Sequence, residues 1–217
     1  MVHRIYNNMS RATTIHSVWI ATPDIEIINY AESHGLNCVL TSSTHERCTD
    51  RCNEALSVIS AKLSQSFDSI VMVQGDEPLI QSKSIDALVE MHNSDNSLNI
   101  IQLVSKITSP DVMNNPNIIK IVLSPKGTVL YMSRSPIPSN NVFTSSNSYK
   151  QVCAMFFTRE LLNTFSLLQP STLEVVESVD FLRLIENSIP IYTKEISYVT
   201  HPVDVLSDVQ VVESLLG

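Results

Sequence analysis

The stretch best equipped for chemistry is Val73-Gln74-Gly75-Asp76-Glu77-Pro78. It follows the run 70–73, Ile-Val-Met-Val, which is short, largely β-branched and unalternated. Such a run predicts a strand buried on both faces, as in parallel sheets. Gly75 predicts a turn or a close approach of backbone to a ligand, and Pro78 stops further pairing. Asp76 and Glu77 then stand at the carboxyl end of a central strand, where open α/β sheets bind ligands. The plain alternative is a polar loop that merely caps the strand.

Four further stretches join it. Thr44-His45-Glu46-Arg47-Cys48-Thr49-Asp50-Arg51 follows a strand and opens a helix, and free N–H groups with an Arg suit an anion or a base edge. Asn115-Pro116-Asn117-Ile118-Ile119-Lys120 leads into a strand, and Tyr131-Met132-Ser133-Arg134-Ser135-Pro136-Ile137-Pro138 ends one. Val203-Asp204 opens the last helix, where Asp204 taken alone reads as a helix cap. His45, Cys48 and Cys52 raise the question of zinc. No second ligand pair accompanies them, and Cys48 to Cys52 spans one helical turn, so structural thiols are the preferred reading.

The elements that must position these residues alternate. Strands are expected at 18–21, 38–40, 70–73, 98–104, 118–123, 128–132, 152–157 and 189–196. Helices are expected at 3–11, from 22 to Gly35, from Thr49 through Leu63, from Ser82, at 171–187 and at 205–216. Ser171 and Glu174 have the spacing of a capping box. Pro125-Lys126-Gly127 signals a hairpin, and 135–148, rich in Ser, Pro and Asn, is a loop. This alternation means α/β with a mixed, mostly parallel sheet and a small antiparallel excursion. Trp19, Phe156, Phe157 and the methionines are expected in the core. His16, His34 and His92 are expected at the surface.

The chain has 217 residues, 43% of them hydrophobic, enough for one α/β domain with a sizeable core. No apolar run approaches bilayer-spanning length, and the first residues lack a signal-peptide pattern. A cytoplasmic location and no membrane insertion are the expectation. A formal net charge of −8 argues against a nucleic-acid partner. It leaves room for a nucleotide, because one metal ion supplies the local positive charge.

Taken together, the five stretches resemble the cytidylyltransferases that activate 3-deoxy-manno-octulosonate (Kdo) as its CMP ester. Val73 to Pro78 matches that family's V-Q-G-D-E-P. Thr44 to Arg51 is similar to H-x-S-G-T-x-R, Asn115 to Lys120 to N-P-N-x-V-K, and Tyr131 to Pro138 to Y-x-S-R-x-x-I-P. The region 171–183 is similar to the L-E-x-x-E-x-L-E-Q-L-R helix, and Val203-Asp204 to the start of V-D-T-P-E-D-L. The resemblance implies a Rossmann-like nucleotide-diphospho-sugar transferase fold as one domain over 1–217, with 118–160 as a sugar-binding and dimerisation lobe. It implies CTP and Kdo as substrates, Mg²⁺ as cofactor, a homodimer and a place in lipopolysaccharide biosynthesis. Asp76 and Asp204 would hold Mg²⁺, which takes one or two carboxylates together with phosphate oxygens and water. Thr49, Arg51, Gln74 and Gly75 would bind the nucleotide. Arg134, Lys150, Gln151, Glu177, Asp180 and Arg183 would bind the sugar.

The departures from that pattern are specific. The family opens with a strand and a basic phosphate loop, whereas Met1-Val2-His3-Arg4 resembles the segment after them. Gln151, Met155 and Phe181 stand where the family has His, Tyr and Gln, and Arg47-Cys48 replaces a small Ser-Gly pair. The expectation is weakened or absent activity for the chain as it stands. A sister activity on another acidic sugar and a non-catalytic dimer partner are the alternatives.

Overall fold

The computed structural model describes residues 1–139 and 148–216, and its longest strand, β7 (Tyr149–Thr158), organises the rest. The elements before it are α1 (Val2–Met9), β1 (Ile20–Thr22), α2 (Ile25–Ser33), β2 (Cys38–Leu40), α3 (Cys48–Leu63), β3 (Ser69–Val73), α4 (Ser82–Ser94), β4 (Ile100–Lys106), α5 (Pro110–Asn114), β5 (Lys120–Leu123) and β6 (Val129–Ser133). After it come α6 (Arg159–Leu167), α7 (Thr172–Glu177), α8 (Leu182–Glu186), β8 (Tyr192–Glu195) and α9 (Leu206–Leu216).

On one side β4 pairs with β7 from Tyr149 to Phe157. On the other side two strands share it: β3 takes residues 154–158 and β5 takes 149–150. β6 extends the sheet beyond β5, and β8 extends it beyond β4. β1 and β2 form a separate parallel pair. The mixed α/β class expected from the sequence is present, but "mostly parallel" needs correction. β7 runs against β3, β4 and β5, and β5 runs against β6; among the described residues only β4–β8 and β1–β2 are parallel. The reason is the route of the chain: the β5–β6 hairpin reverses it, and β7, on the other side of β5, keeps the direction of β6.

Alternation along β7 feeds two cores. Val152, Ala154 and Phe156 pack with Ile5 and Met9 of α1 and Ile85 and Leu88 of α4. Met155 and Phe157 pack on the opposite face with Leu162 and Phe165 of α6 and with Phe181. A third cluster joins Val39, Ala55 and Ile59, flanked by Trp19, Ala21 and Phe67. Phe156 and Phe157 are in the core as expected, and His92, expected at the surface, is instead half-buried and stacks on Phe156 with ring centroids 4.6 Å apart.

Three further corrections concern elements. The strand before Asp76 is not buried on both faces: Ile70, Val71 and Val73 are only half-buried, and among the described residues β3 has a strand neighbour on one edge alone. The single helix expected at 171–187 is two, α7 and α8, broken where Ser178 takes the left-handed conformation at φ 53°. The Ser171–Glu174 capping box is present. Helix α6 was not anticipated; it starts where Thr158 caps it by accepting from Leu161 N–H. The expected loop 135–148 lies partly outside the described residues, as does part of the expected lobe 118–160.

Ser64 ends α3 in the left-handed region at φ 51°, a conformation that glycine adopts without strain. Ser64→Gly is therefore expected to stabilise the fold by about 0.5–1 kcal/mol, read as a raised urea midpoint with an unchanged slope.

Candidate active site

The site begins where β3 leaves the sheet. Gln74 N–H donates to Cys153 C=O at 2.9 Å, which adds one more rung to the ladder. The chain then turns, with Glu77 N–H donating to Gln74 C=O at 3.3 Å. Gly75 does not supply this turn through a left-handed backbone, and a Cβ there would meet nothing within 4 Å. The turn expected at Gly75 is present, made without a left-handed backbone, and open space lies beside it.

The second half of the site is pinned to the first. Val203 N–H donates to Asp76 C=O at 2.8 Å, so Asp204 follows directly on a contact with the β3 turn. Asp204 is not the cap of α9. Asp208 fills that role: its Oδ2 accepts from Asp204 N–H and Val205 N–H, each at 2.9 Å, and its Oδ1 meets His201 Nε2 at 3.1 Å. The Asp204 carboxylate takes no hydrogen bond among the described residues and stays exposed. Asp76 and Asp204 both line a cavity of about 360 Å³, together with Gln74, Arg134, Lys150 and Gln151. Burial raises the Asp76 pKa, and the charge of Asp204 adds to the rise. Asp76 Oδ1 is buried without a partner.

An orphaned carboxylate oxygen beside a second aspartate suits a divalent cation. Among the described residues no group of three or more His, Cys, Asp or Glu side chains could hold a metal by itself. Two carboxylates are what Mg²⁺ takes from a protein when phosphate oxygens and water complete its octahedron, so the residues present fit that ion.

Glu77, absent from the expected site residues, is the most buried carboxylate here at 2% exposed. Its Oε1 accepts from Cys153 N–H at 3.0 Å, and its Oε2 is buried without a partner. Burial pushes its pKa up to about 7, against the lowering effects of the Cys153 N–H and the Lys150 charge. Lys150 Nζ donates to Thr200 C=O at 2.7 Å, and burial lowers its pKa. A carboxyl group with a raised folded pKa binds more protons in the native state than in the unfolded one. Its stabilising contribution is complete below its ordinary value of 4.5 and is lost as pH rises through about 7. In metal-free protein Glu77 is expected to remove about 3 kcal/mol between pH 5 and 8. Glu77→Gln should flatten that slope, which urea midpoints at the two pH values will show.

The remaining expected site residues divide into two groups. Arg134, Lys150 and Gln151 line the cavity, although Arg134 is engaged with four carbonyls, those of Pro116, Asn117, Glu177 and Ser178, at 3.2–3.4 Å. Gln74 Nε2 contacts Cys48 Sγ at 2.9 Å, and Gln151 Oε1 is buried without a partner. The second group lies outside this cavity. Thr49 Oγ1 donates to Asp180 at 2.8 Å. Arg51 holds the loop before α3 through Thr41 Oγ1, Ser42 C=O and His45 C=O at 2.8–3.0 Å. Glu177 accepts from Tyr131 OH, Ser133 OH and Arg134 N–H at 2.8–3.2 Å. Arg183 grips Glu174 with Nε and Nη2 at 2.7 and 2.6 Å. Met155 and Phe181 are fully buried. His45 Nε2 meets Glu54 at 2.6 Å, and burial raises both Cys48 and Cys52, the latter to about 12.

Lys120 is a residue that the expected site residues omit. Fully buried, its Nζ donates to the carbonyls of Asn115 (2.8 Å), Ile118 (2.7 Å) and Arg134, and burial pushes its pKa down to about 8. It clasps the turn before β5 to the end of β6. The signal was a lone Lys opening an apolar strand after Asn-Pro-Asn.

Arg51, Gln74, Gly75 and Asp76 also line a second cavity of about 660 Å³, so the two cavities meet at the end of β3.

The fold is that of the Rossmann-like nucleotidyltransferases. A solved putative glucose-1-phosphate thymidylyltransferase from Bacillus anthracis superposes with a TM-score of 0.69 over 99% of this chain and 81% of its own, at 11% identity. A solved CMP:2-keto-3-deoxy-manno-octonic acid synthetase, complexed with CTP, superposes with a TM-score of 0.86 over 99% of this chain and 86% of its own, at 27% identity. The profile of the family described as Cytidylyltransferase matches residues 1–196. The 3-deoxy-manno-octulosonate cytidylyltransferase of Thermodesulfovibrio yellowstonii is 33% identical over all of this chain and 88% of its own length. The enzyme of that name from Geobacter metallireducens is 34% identical over 99% and 87%. The chain belongs to the 3-deoxy-manno-octulosonate cytidylyltransferase family.

Proposed function

We propose that this chain transfers CMP from CTP to 3-deoxy-manno-octulosonate, releasing pyrophosphate and supplying an activated sugar for lipopolysaccharide biosynthesis. The observation that supports it most is the convergence of Asp76 and Asp204 on one cavity, tied by the Val203–Asp76 hydrogen bond of 2.8 Å. In the reaction, the anomeric hydroxyl oxygen bonds to the α-phosphorus and its proton leaves to solvent. The bond from that phosphorus to the bridging oxygen breaks, and pyrophosphate departs with the electron pair.

Such a transfer needs positioning and charge stabilisation more than covalent help. Asp76 and Asp204 would hold Mg²⁺, which when bound neutralises phosphate charge. Lys150 puts a cationic side chain on the cavity wall, and Gln74 and Gln151 put amides there. These groups can orient a polyanionic nucleotide and a hydroxylated acid. The reading carries with it the homodimer that the family resemblance implies and the cytoplasmic location expected from the sequence. Among the described residues no helix is long and apolar enough to cross a membrane.

The test is pyrophosphate release by purified protein given CTP, Kdo and Mg²⁺. Release that requires both sugar and metal is expected, slower than in relatives because Arg47-Cys48 replaces a small pair. CTP left intact under all conditions overturns the reading.

A further inference from the structure

We propose that Asp208 is a positioning residue: its carboxylate fixes the backbone that carries Asp204 and so aims the Asp204 side chain into the cavity shared with Asp76. The inference rests on the reading of Asp204 as a ligand of Mg²⁺, and it adds the group that holds that ligand in place.

Asp204 does not hold itself. Its carboxylate is exposed and takes no hydrogen bond among the described residues. An exposed side chain without a bond has several staggered rotamers open to it, and the backbone beneath sets the directions they can take. Apolar packing does little for that backbone. Val205 and Leu206 are 51% and 90% exposed, and among the described residues of α9 only Val212 is buried. A helix is ordinarily docked by an apolar face, and α9 has almost none turned inward. The segment before it is better anchored: Lys150 Nζ donates to Thr200 C=O at 2.7 Å, and Val203 N–H to Asp76 C=O at 2.8 Å. Beyond Val203 the contacts of Asp208 take over.

Asp208 is the third residue of α9, and its side chain reaches back past the start of the helix. Its Oδ2 accepts from both Asp204 N–H and Val205 N–H at 2.9 Å, and its own N–H donates to Val205 C=O at 3.0 Å. This is the acidic half of a capping box with one bond more. The extra bond matters. The Asp204 N–H belongs to the peptide plane before its Cα, and the Val205 N–H to the plane after it. One oxygen that holds both planes fixes φ and ψ of Asp204 together, and with them the direction of its Cα–Cβ bond. His201 Nε2 meets the other oxygen, Oδ1, at 3.1 Å and keeps the carboxylate from turning.

Asp208 is no ligand candidate itself. Both its oxygens are already engaged, and it does not line the cavity that Asp76 and Asp204 share. A role confined to starting α9 would lower the thermal midpoint of a variant and leave metal-dependent binding alone.

The test compares CTP binding to the purified chain in Mg²⁺ and in EDTA, by isothermal titration. In Asp208→Ala the affinity gained from Mg²⁺ is expected to fall at least about tenfold, as when an outer contact of a metal ligand is removed, while the affinity in EDTA stays within about twofold. Asp208→Asn keeps an oxygen acceptor in the same place without the charge, and is expected to retain the gain within about threefold. A gain within about twofold of wild type in Asp208→Ala overturns the proposal. So does an equal loss in Asp208→Asn, which makes charge rather than backbone geometry the cause. If Asp208→Ala does not fold, hydrogen exchange in the wild-type chain decides. Its Asp204 and Val205 amides are expected to exchange at least about tenfold more slowly than free amides before any metal is added, and unprotected amides overturn the proposal. Wild-type CTP binding that ignores Mg²⁺ overturns the assignment of Asp76 and Asp204 as metal ligands, and this inference with it.

Discussion

Asp76→Ala is expected to eliminate Mg²⁺-dependent binding of CTP while leaving the fold intact. The structural tie of Asp76 to the 203–204 segment is its backbone carbonyl, not its carboxylate, so the side chain can be removed without breaking that link. Its carboxylate is buried next to Asp204, with Oδ1 unpartnered and the pKa raised. Removing it relieves repulsion in the metal-free protein and should raise the thermal midpoint slightly, the usual trade between stability and function. The loss in affinity should reach about a hundredfold, equivalent to about 2.7 kcal/mol, by isothermal titration with CTP in Mg²⁺. Asp204→Ala should give a similar loss, and the double variant little more, because both carboxylates serve one ion. Affinity retained within about twofold in Asp76→Ala would remove the metal from the proposal.

The largest stability effect is expected at Arg183, which does not line the cavity of Asp76 and Asp204. Its guanidinium grips Glu174 through two bonds of 2.7 and 2.6 Å, and the two residues are 3% and 1% exposed. Arg183→Ala strips a buried carboxylate of its two-bond cation and leaves it Arg47 Nε at 3.5 Å; breaking such a buried pair typically costs about 3–5 kcal/mol. For a chain of this size the thermal midpoint should fall by about 10 °C. Replacing both partners, Glu174→Leu with Arg183→Met, should recover most of the loss, because no buried charge is then stranded. An unchanged midpoint in Arg183→Ala would free the residue for the sugar-binding role that the family pattern assigns to it.

The paired aspartates were legible because each sits in a short, distinctive string. Their convergence is visible only in three dimensions, through the Val203–Asp76 hydrogen bond. Cys38–Leu40 was placed to the residue, and α3 and α9 to within one, by apolar spacing and breakers alone. The reversal of β7 was not legible, since an apolar strand looks the same in either direction. The 171–187 segment failed for a local reason: a serine adopted a conformation usually left to glycine. Glu177, Asp180 and Arg183 carry the right chemistry for a sugar acid, but sequence cannot show that their polar atoms are already engaged by Ser133, Thr49 and Glu174. Glu77 was in plain view beside Asp76; that it turns inward to accept from the Cys153 N–H at the gap in the ladder is something no periodicity reveals.

The division of β7 between two partners leaves a seam in the sheet. On that side β5 ends its rungs near Gln151 and β3 begins at Cys153, and the Glu77 carboxylate plugs the ladder where they abut. A single codon gained or lost at Val152 would invert the facing of every side chain on one side of the seam relative to the other. Lys150 and Gln151 would then part company with Asp76. Natural variation in this strand should therefore swap one apolar residue for another freely while holding its length constant.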